Sequence, residues 1–83
     1  MITLQKLEIY EKFEGDVDGL QRSGTDEEQR IFDHTDWNLI EDLLRRIYLI
    51  NSHLASKDFE QGTKSSIERV VQPDAISFLW RMK

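Results

Sequence analysis

Cysteine is absent from this chain of 83 residues. Disulfide bonds, cysteine-ligated zinc, iron–sulfur clusters and thiol nucleophiles are therefore excluded. Proline occurs once and glycine four times, which excludes collagen-like and low-complexity chains rich in these residues. The rest of the composition, 39% apolar and 33% charged, is typical of a soluble globular protein, and we expect residues 1–83 to form one domain.

Long apolar runs are missing as well. No stretch approaches the roughly 18 apolar residues of a membrane-spanning helix. The start of the chain, from Met1 to Lys6, lacks the basic region and the apolar run of a secretory signal peptide. We therefore expect a cytoplasmic protein with no membrane partner.

Strand patterns are also scarce, because strict alternation of apolar and polar residues does not occur. Apolar residues recur instead with helical spacing, which predicts helices over about 2–13, 26–33, 36–51, 57–71 and 75–82. The sequence therefore predicts an all-α fold, a small bundle of four to five short amphipathic helices.

Capping signals accompany these helices. Thr25 followed by Glu28 has the pattern of a capping box. Pro73 is expected to end the fourth helix, because proline cannot continue one. The other expected N-caps are Thr35 or Asp36, Ser56 and Asp74. On the polar face of the longest helix, the expected i,i+4 ion pairs are Glu41–Arg45 and Asp42–Arg46.

Basic residues are few in one part of the chain. Residues 14–42 contain ten acidic and only two basic side chains, whereas residues 1–13 are balanced and residues 43–83 are net basic. Such asymmetry indicates where a charged partner docks, although a net charge of −5 also serves solubility alone. The candidate partner-binding residues are Asp16, Asp18, Asp26, Glu27, Asp33 and Asp36.

Motifs for catalysis and nucleic-acid binding are missing. No serine stands in a nucleophile elbow, and no glycine pattern matches a phosphate-binding loop. His34 lies close to Asp33 and Asp36, but a loop whose acids cap helices explains these residues without a metal. The acidic balance argues against binding nucleic acid. We therefore expect no enzyme activity, no cofactor and no metal.

The segment 14–25 offers an alternative function as a metal-responsive helix-loop-helix module. Thr25, however, stands where a calcium loop needs a bidentate glutamate. A tight turn, with backbone bonds to the two aspartates and positive φ at Gly15 and Gly19, explains the same residues. The side chains that match calcium-loop positions 1, 3, 5 and 6 are Glu14, Asp16, Asp18 and Gly19.

A second alternative is a dimeric regulatory subunit that pairs through the longest helix. Apolar side chains and one asparagine recur there with the spacing of a coiled-coil seam. The run is shorter than three heptads, which favours packing within the bundle. The seam consists of Trp37, Ile40, Leu44, Ile47, Asn51 and Leu54.

The sequence thus predicts a small, acidic, all-helical interaction protein, either a monomer or a homodimer. Its most concrete form is an inhibitor or immunity-type protein that binds a basic protein, such as a nuclease, through residues 14–42. Electrostatic steering followed by burial of a few aromatic anchors would drive this association.

Overall fold

Six α-helices joined by short loops form the computed structural model, which describes residues 1–82; Lys83 lies outside them. The all-α class is confirmed, and within the described residues none of the helices is long and apolar enough to cross a membrane. The additional helix covers residues 17–23, which were expected to form part of a turn. The helices are α1 (Leu4–Phe13), α2 (Val17–Ser23), α3 (Asp26–Ile31), α4 (His34–Asn51), α5 (Lys57–Val70) and α6 (Pro73–Arg81).

The boundaries of α1 and α2 follow from local hydrogen bonds. The Thr3 hydroxyl accepts the Lys6 N–H at 3.2 Å, so α1 begins at Leu4, two residues later than expected. Positive φ at Gly15 is confirmed, but it was wrong for Gly19, which lies inside α2. Glu14 takes the second left-handed position instead, with φ of 53°, as the C-cap of α1.

The start of α3 confirms the capping box. The Thr25 hydroxyl accepts the Glu28 N–H at 3.1 Å, and the Glu28 carboxylate accepts the Thr25 N–H at 2.9 Å. The expected cap of α4 was wrong, because Asp33 takes that position and the helix begins at His34. The Asp33 carboxylate accepts the N–H groups of the two predicted caps, Thr35 and Asp36, at 2.8 and 3.4 Å.

Ser56 caps α5 as predicted, since its hydroxyl accepts the Phe59 N–H at 3.1 Å. Asp74 was wrong as the cap of α6, because Gln72 precedes that helix and Pro73 is its first residue. Proline is favoured there because its fixed φ suits a first helical turn, where its missing N–H leaves nothing unpaired. Asp74 lies in the same first turn, near the positive end of the helix dipole.

Two groups of buried side chains hold the helices together. The larger cluster joins α1, α4, α5 and α6, and the smaller cluster joins α1, α2 and α4. Tyr10 packs against both clusters. The buried members of the larger cluster are Ile2, Leu7, Ile40, Leu43, Leu44, Ile47, Ile67, Val71, Ala75 and Leu79. Those of the smaller cluster are Ile9, Leu20 and Trp37.

Candidate protein-interaction surfaces

The six candidate acidic residues lie at the N-termini of three consecutive helices. The first four N–H groups of a helix lack helical partners and carry partial positive charge, so carboxylates stabilise these positions. Each acid therefore contributes to a helix start whether or not a partner is bound. The pairs are Asp16 and Asp18 at α2, Asp26 and Glu27 at α3, and Asp33 and Asp36 at α4.

Asp36 differs from the other five candidates. Its carboxylate pairs with the ammonium group of Lys6 in α1, and both side chains are mostly buried. Within residues 1–82 the other five carboxylates form no ion pair with lysine or arginine. The structure therefore leaves those five exposed and outside any ion pair within residues 1–82, and it commits Asp36 to a contact between α1 and α4.

The smaller cluster holds the acidic helices close to one another. Val17 and Leu20 of α2 pack there, together with Ile31 at the end of α3 and Trp37 in α4. The Phe32 ring, between α3 and α4, meets the Trp37 ring edge-on at a centroid distance of 5.5 Å. Helices α2 and α3 and the beginning of α4 therefore meet at the smaller cluster, and we call this part of the chain the acidic end of the molecule.

Glu28 links α1 to α3. Its carboxylate accepts the Lys12 ammonium at 2.9 Å, across sixteen positions of sequence. The hydrogen bond from the Thr25 backbone, followed by the bond from Lys12, lowers the pKa of Glu28 from its ordinary value. Lys12 is thereby engaged by an acid that the charge count alone did not single out.

Folding adds another acid to this end of the molecule. A groove of about 450 Å³ between α1 and α3 has Glu8, Glu27 and Glu28 among its lining residues. Ile9 and Ile31 supply the apolar part of its lining. Glu8 belongs to the balanced segment 1–13, so only the approach of α1 to α3 reveals its place beside Glu27.

The segment 14–25 forms a capped turn followed by a helix. The Asp16 carboxylate accepts the Gly19 N–H at 3.0 Å, and Asp18 lies in the first turn of α2. Within residues 1–82 there is no group of three histidine, aspartate or glutamate side chains that could hold a metal ion. The described geometry therefore gives the metal-responsive alternative no ligand cluster.

The predicted coiled-coil seam of α4 divides into a buried part and an exposed part. Four of its residues pack within the core of the chain: Trp37, Ile40, Leu44 and Ile47. Asn51 is exposed, and Leu54 is 70% exposed. The buried four are therefore not available to a second molecule while the chain is folded.

Apolar surface remains near the C-terminal end of α4. The helical spacing of apolar residues in the sequence predicts that Tyr48 lies on the same buried arc as Leu44 and Ile47, but Tyr48 is 58% exposed, and Leu49 is 37% exposed. Tyr48 lies about 100° around the helix from the buried Ile47, which places it at the edge of the inner face. It lines an open groove of about 580 Å³ between α1 and α4, whose other lining residues are Tyr10, Glu41, Leu44, Arg45 and Leu49.

Charged side chains flank this groove, and two of them lie outside any ion pair within the described residues. Asp42 and Arg46 form the expected i,i+4 ion pair at 3.1 Å, but within residues 1–82 Glu41 and Arg45 form none. Burial raises the pKa of the Tyr10 hydroxyl; Glu41 raises it further, whereas Arg45 lowers it. The charges of Glu41 and Arg45 in α4 therefore both act on Tyr10 of α1.

No protein-family model, curated protein or solved structure matches this chain. No relative therefore lends it a family or an activity, and its function is inferred from the surfaces described above.

Proposed function

We propose that this chain is a small, non-enzymatic interaction protein that binds a basic protein partner. Its binding site would be the acidic surface, defined here as the exposed carboxylates of Asp16, Asp18, Asp26, Glu27 and Asp33. The observation that carries the proposal is that these five carboxylates form no ion pair within residues 1–82. Asp36 is left out because Lys6 already neutralises it.

Shared packing supports a common direction of approach for the partner. The helices that carry the acidic surface meet at the smaller cluster, which supports a single acidic region. A local excess of one charge steers an oppositely charged protein during diffusion and raises the rate of association. We expect partner lysines and arginines to meet the acidic end first.

An inhibitor or immunity-type role is the most concrete form of this function. Proteins that act on nucleic acids carry basic surfaces for the phosphate backbone. An acidic protein can occupy such a surface by charge, and this requires no catalytic group. The proposal includes a cytoplasmic location and a partner such as a nuclease.

Affinity capture with matched variants tests this function. The tagged full chain is incubated with lysate of the cells that produce it, at about 50 mM and about 500 mM salt, and retained proteins are identified by mass spectrometry. The test variant removes three negative charges from first helical turns: Asp18→Asn, Asp26→Asn and Glu27→Gln. The control variant removes three exposed charges from α5 and α6: Asp58→Asn, Glu68→Gln and Asp74→Asn.

We expect the wild-type chain and the control variant to retain the same basic protein at low salt. The test variant should lose it, and high salt should release it, because exposed charges are screened by added ions. Equal retention by the test and control variants would remove the acidic surface as the binding site. Retention that is unchanged at high salt would contradict electrostatic recognition.

A further inference from the structure

The outward face of α4 carries a second, independent pattern. Five side chains form a row along it, because residues three and four positions apart lie on the same side of a helix. All five are exposed, and Glu41, Arg45 and Tyr48 also line the groove between α1 and α4. The outward seam consists of Asn38, Glu41, Arg45, Tyr48 and Ser52.

The centre of this outward seam carries one negative and one positive side chain. Glu41 and Arg45 stand one turn apart, and within residues 1–82 neither is in an ion pair. Tyr48 lies next along the seam, with Leu49 beside it, and both contribute apolar surface to the groove between α1 and α4. The face therefore combines an acid and a base that form no ion pair within residues 1–82 with an exposed aromatic ring.

We propose that this outward seam pairs with the same seam of a second copy of the chain in an antiparallel homodimer. When two antiparallel copies of one helix face each other, the residue numbers of every opposing pair add up to the same value. A two-fold axis beside Leu43 places Glu41 of each copy opposite Arg45 of the other, and Asn38 opposite Tyr48. Leu43 is close to the middle of α4, so the two helices overlap along almost their full length of about 27 Å.

Charge complementarity selects a second copy as the occupant. The acids of α4 lie towards its N-terminal end and its arginines, Arg45 and Arg46, lie towards the C-terminal end. Antiparallel pairing sets each half of the helix against a half of opposite charge. A uniformly basic partner would instead meet the arginines, and a uniformly acidic partner would meet Glu41. The same patch on both subunits is what a two-fold interface requires.

The homodimer and the proposed basic partner use different surfaces. The acidic surface lies at α2, α3 and the start of α4, and the outward seam begins at Asn38. Substitutions in one surface leave the other intact, so the failure of one proposal is distinguishable from the failure of the other.

Sedimentation velocity on the full chain, from about 10 μM to about 1 mM, tests the homodimer. Glu41→Arg and Arg45→Glu each place like charges opposite one another, and we expect each to weaken dimerisation at least about tenfold. The double variant, Glu41→Arg with Arg45→Glu, restores opposite charges in the same register and should restore the dimer. The controls make the same charge changes on exposed positions of α5: Glu68→Arg and Arg69→Glu.

Three results would overturn the homodimer. One is a wild-type chain that remains a monomer at the highest concentration. Another is a dimer that is indifferent to both single reversals. The third is a dimer that is lost in the single reversals and not recovered in the double variant, while circular dichroism shows all variants folded.

The register has its own test, because the chain contains no cysteine of its own. Asn38→Cys and Tyr48→Cys proteins are mixed and oxidised. We expect the mixed disulfide in excess, since two copies of position 38 would lie ten residues, or about 15 Å, apart along the helix axis. Homodisulfides in amounts equal to the mixed product would overturn the antiparallel arrangement.

Discussion

Ile2 and Val71 pair as the two sides of a parallel β-bridge that ties the residues before α1 to the junction of α5 and α6. The Ile2 N–H donates to the Val70 carbonyl oxygen at 2.7 Å, and the Gln72 N–H donates to the Ile2 carbonyl oxygen at 2.9 Å. Both side chains of the bridge are fully buried in the larger cluster. The bridge thus closes the core with a backbone contact between distant parts of the sequence.

Truncating Ile2 should destabilise the fold strongly. Ile2→Ala removes buried methyl and methylene groups beneath the bridge, and we expect the free energy of unfolding to fall by about 2–4 kcal/mol. Urea unfolding followed by circular dichroism measures this loss. Met1→Ala is the control, because Met1 is exposed and its truncation should change stability by less than about 0.5 kcal/mol. A loss at Ile2 no larger than the loss at Met1 would contradict the burial of the Ile2 side chain in the larger cluster.

Removing the hydroxyl of Thr63 should stabilise the chain. Thr63 is completely buried in α5, and its Oγ1 atom has no hydrogen-bond partner among residues 1–82. Burying an unpaired polar group is unfavourable, so Thr63→Val, which keeps the shape, should raise the free energy of unfolding by about 1 kcal/mol. Thr63→Ser keeps the hydroxyl and loses a methyl group, so it should lower stability. Thermal melts of the three proteins give the order, and a less stable valine variant would contradict the unpaired hydroxyl.

Two glycines should respond to alanine in opposite directions. Beyond the chain neighbours and backbone of α5 itself, a Cβ atom added at Gly62 meets no atom of residues 1–82 within 4 Å, and alanine is the better helix former by about 1 kcal/mol. Gly62→Ala should therefore raise stability. A Cβ atom added at Gly24 would lie 2.5 Å from the Leu20 carbonyl oxygen, so Gly24→Ala should lower stability. If the urea midpoints moved in the same direction for both variants, either the open surroundings of Gly62 or the close contact at Gly24 would be contradicted.

Glu28 should make the free energy of unfolding depend on pH in the acidic range. Its pKa is lowered in the folded chain, so the folded state favours the carboxylate more than the unfolded state does. The stabilisation is complete above the ordinary pKa of 4.5 and is lost as the pH falls through the folded value. Glu28→Gln can still hydrogen-bond the Thr25 N–H but carries no charge. The stability difference between wild type and variant should therefore shrink from about pH 7 to about pH 3.

Urea unfolding at several pH values follows this difference, and a carboxyl NMR titration reports the pKa directly. We expect Lys12→Gln to move the pKa of Glu28 upward, because it removes the hydrogen bond and the positive charge of Lys12, both of which lower that pKa. A stability difference that grew as the pH fell would contradict the sign of the shift.

The sequence predicted those parts of the fold that depend on residues within one helical turn of each other. The Thr25 capping box and the Ser56 cap each join a side chain to a backbone group three positions later, so spacing alone reveals them. The cap of α4 was missed because Asp33, Thr35 and Asp36 are all acceptable N-caps. In the structure the Asp33 carboxylate accepts the N–H groups of both others, and the Asp36 side chain pairs with Lys6, thirty residues away.

The sequence predicted an excess of negative charge in one segment, but it did not predict which side chains are exposed and free of ion pairs within the described residues. Counting acids identified residues 14–42, but no count shows that Lys6 neutralises Asp36 or that Lys12 engages Glu28. The exposure of Tyr48 was missed for a related reason. Its position lies at the border of the apolar arc, and the packing of α1 against α4 decides whether a border residue is covered.

The two tryptophans report on different parts of the molecule. Trp37 is buried in the smaller cluster at the end that carries the acidic helices, whereas Trp80 packs against the larger cluster. In a variant that keeps only one tryptophan, the emission maximum follows the hydration of one cluster alone. Local melting of the acidic end can therefore be observed as a spectral shift in the variant that keeps Trp37, while the emission of the variant that keeps Trp80 stays unchanged.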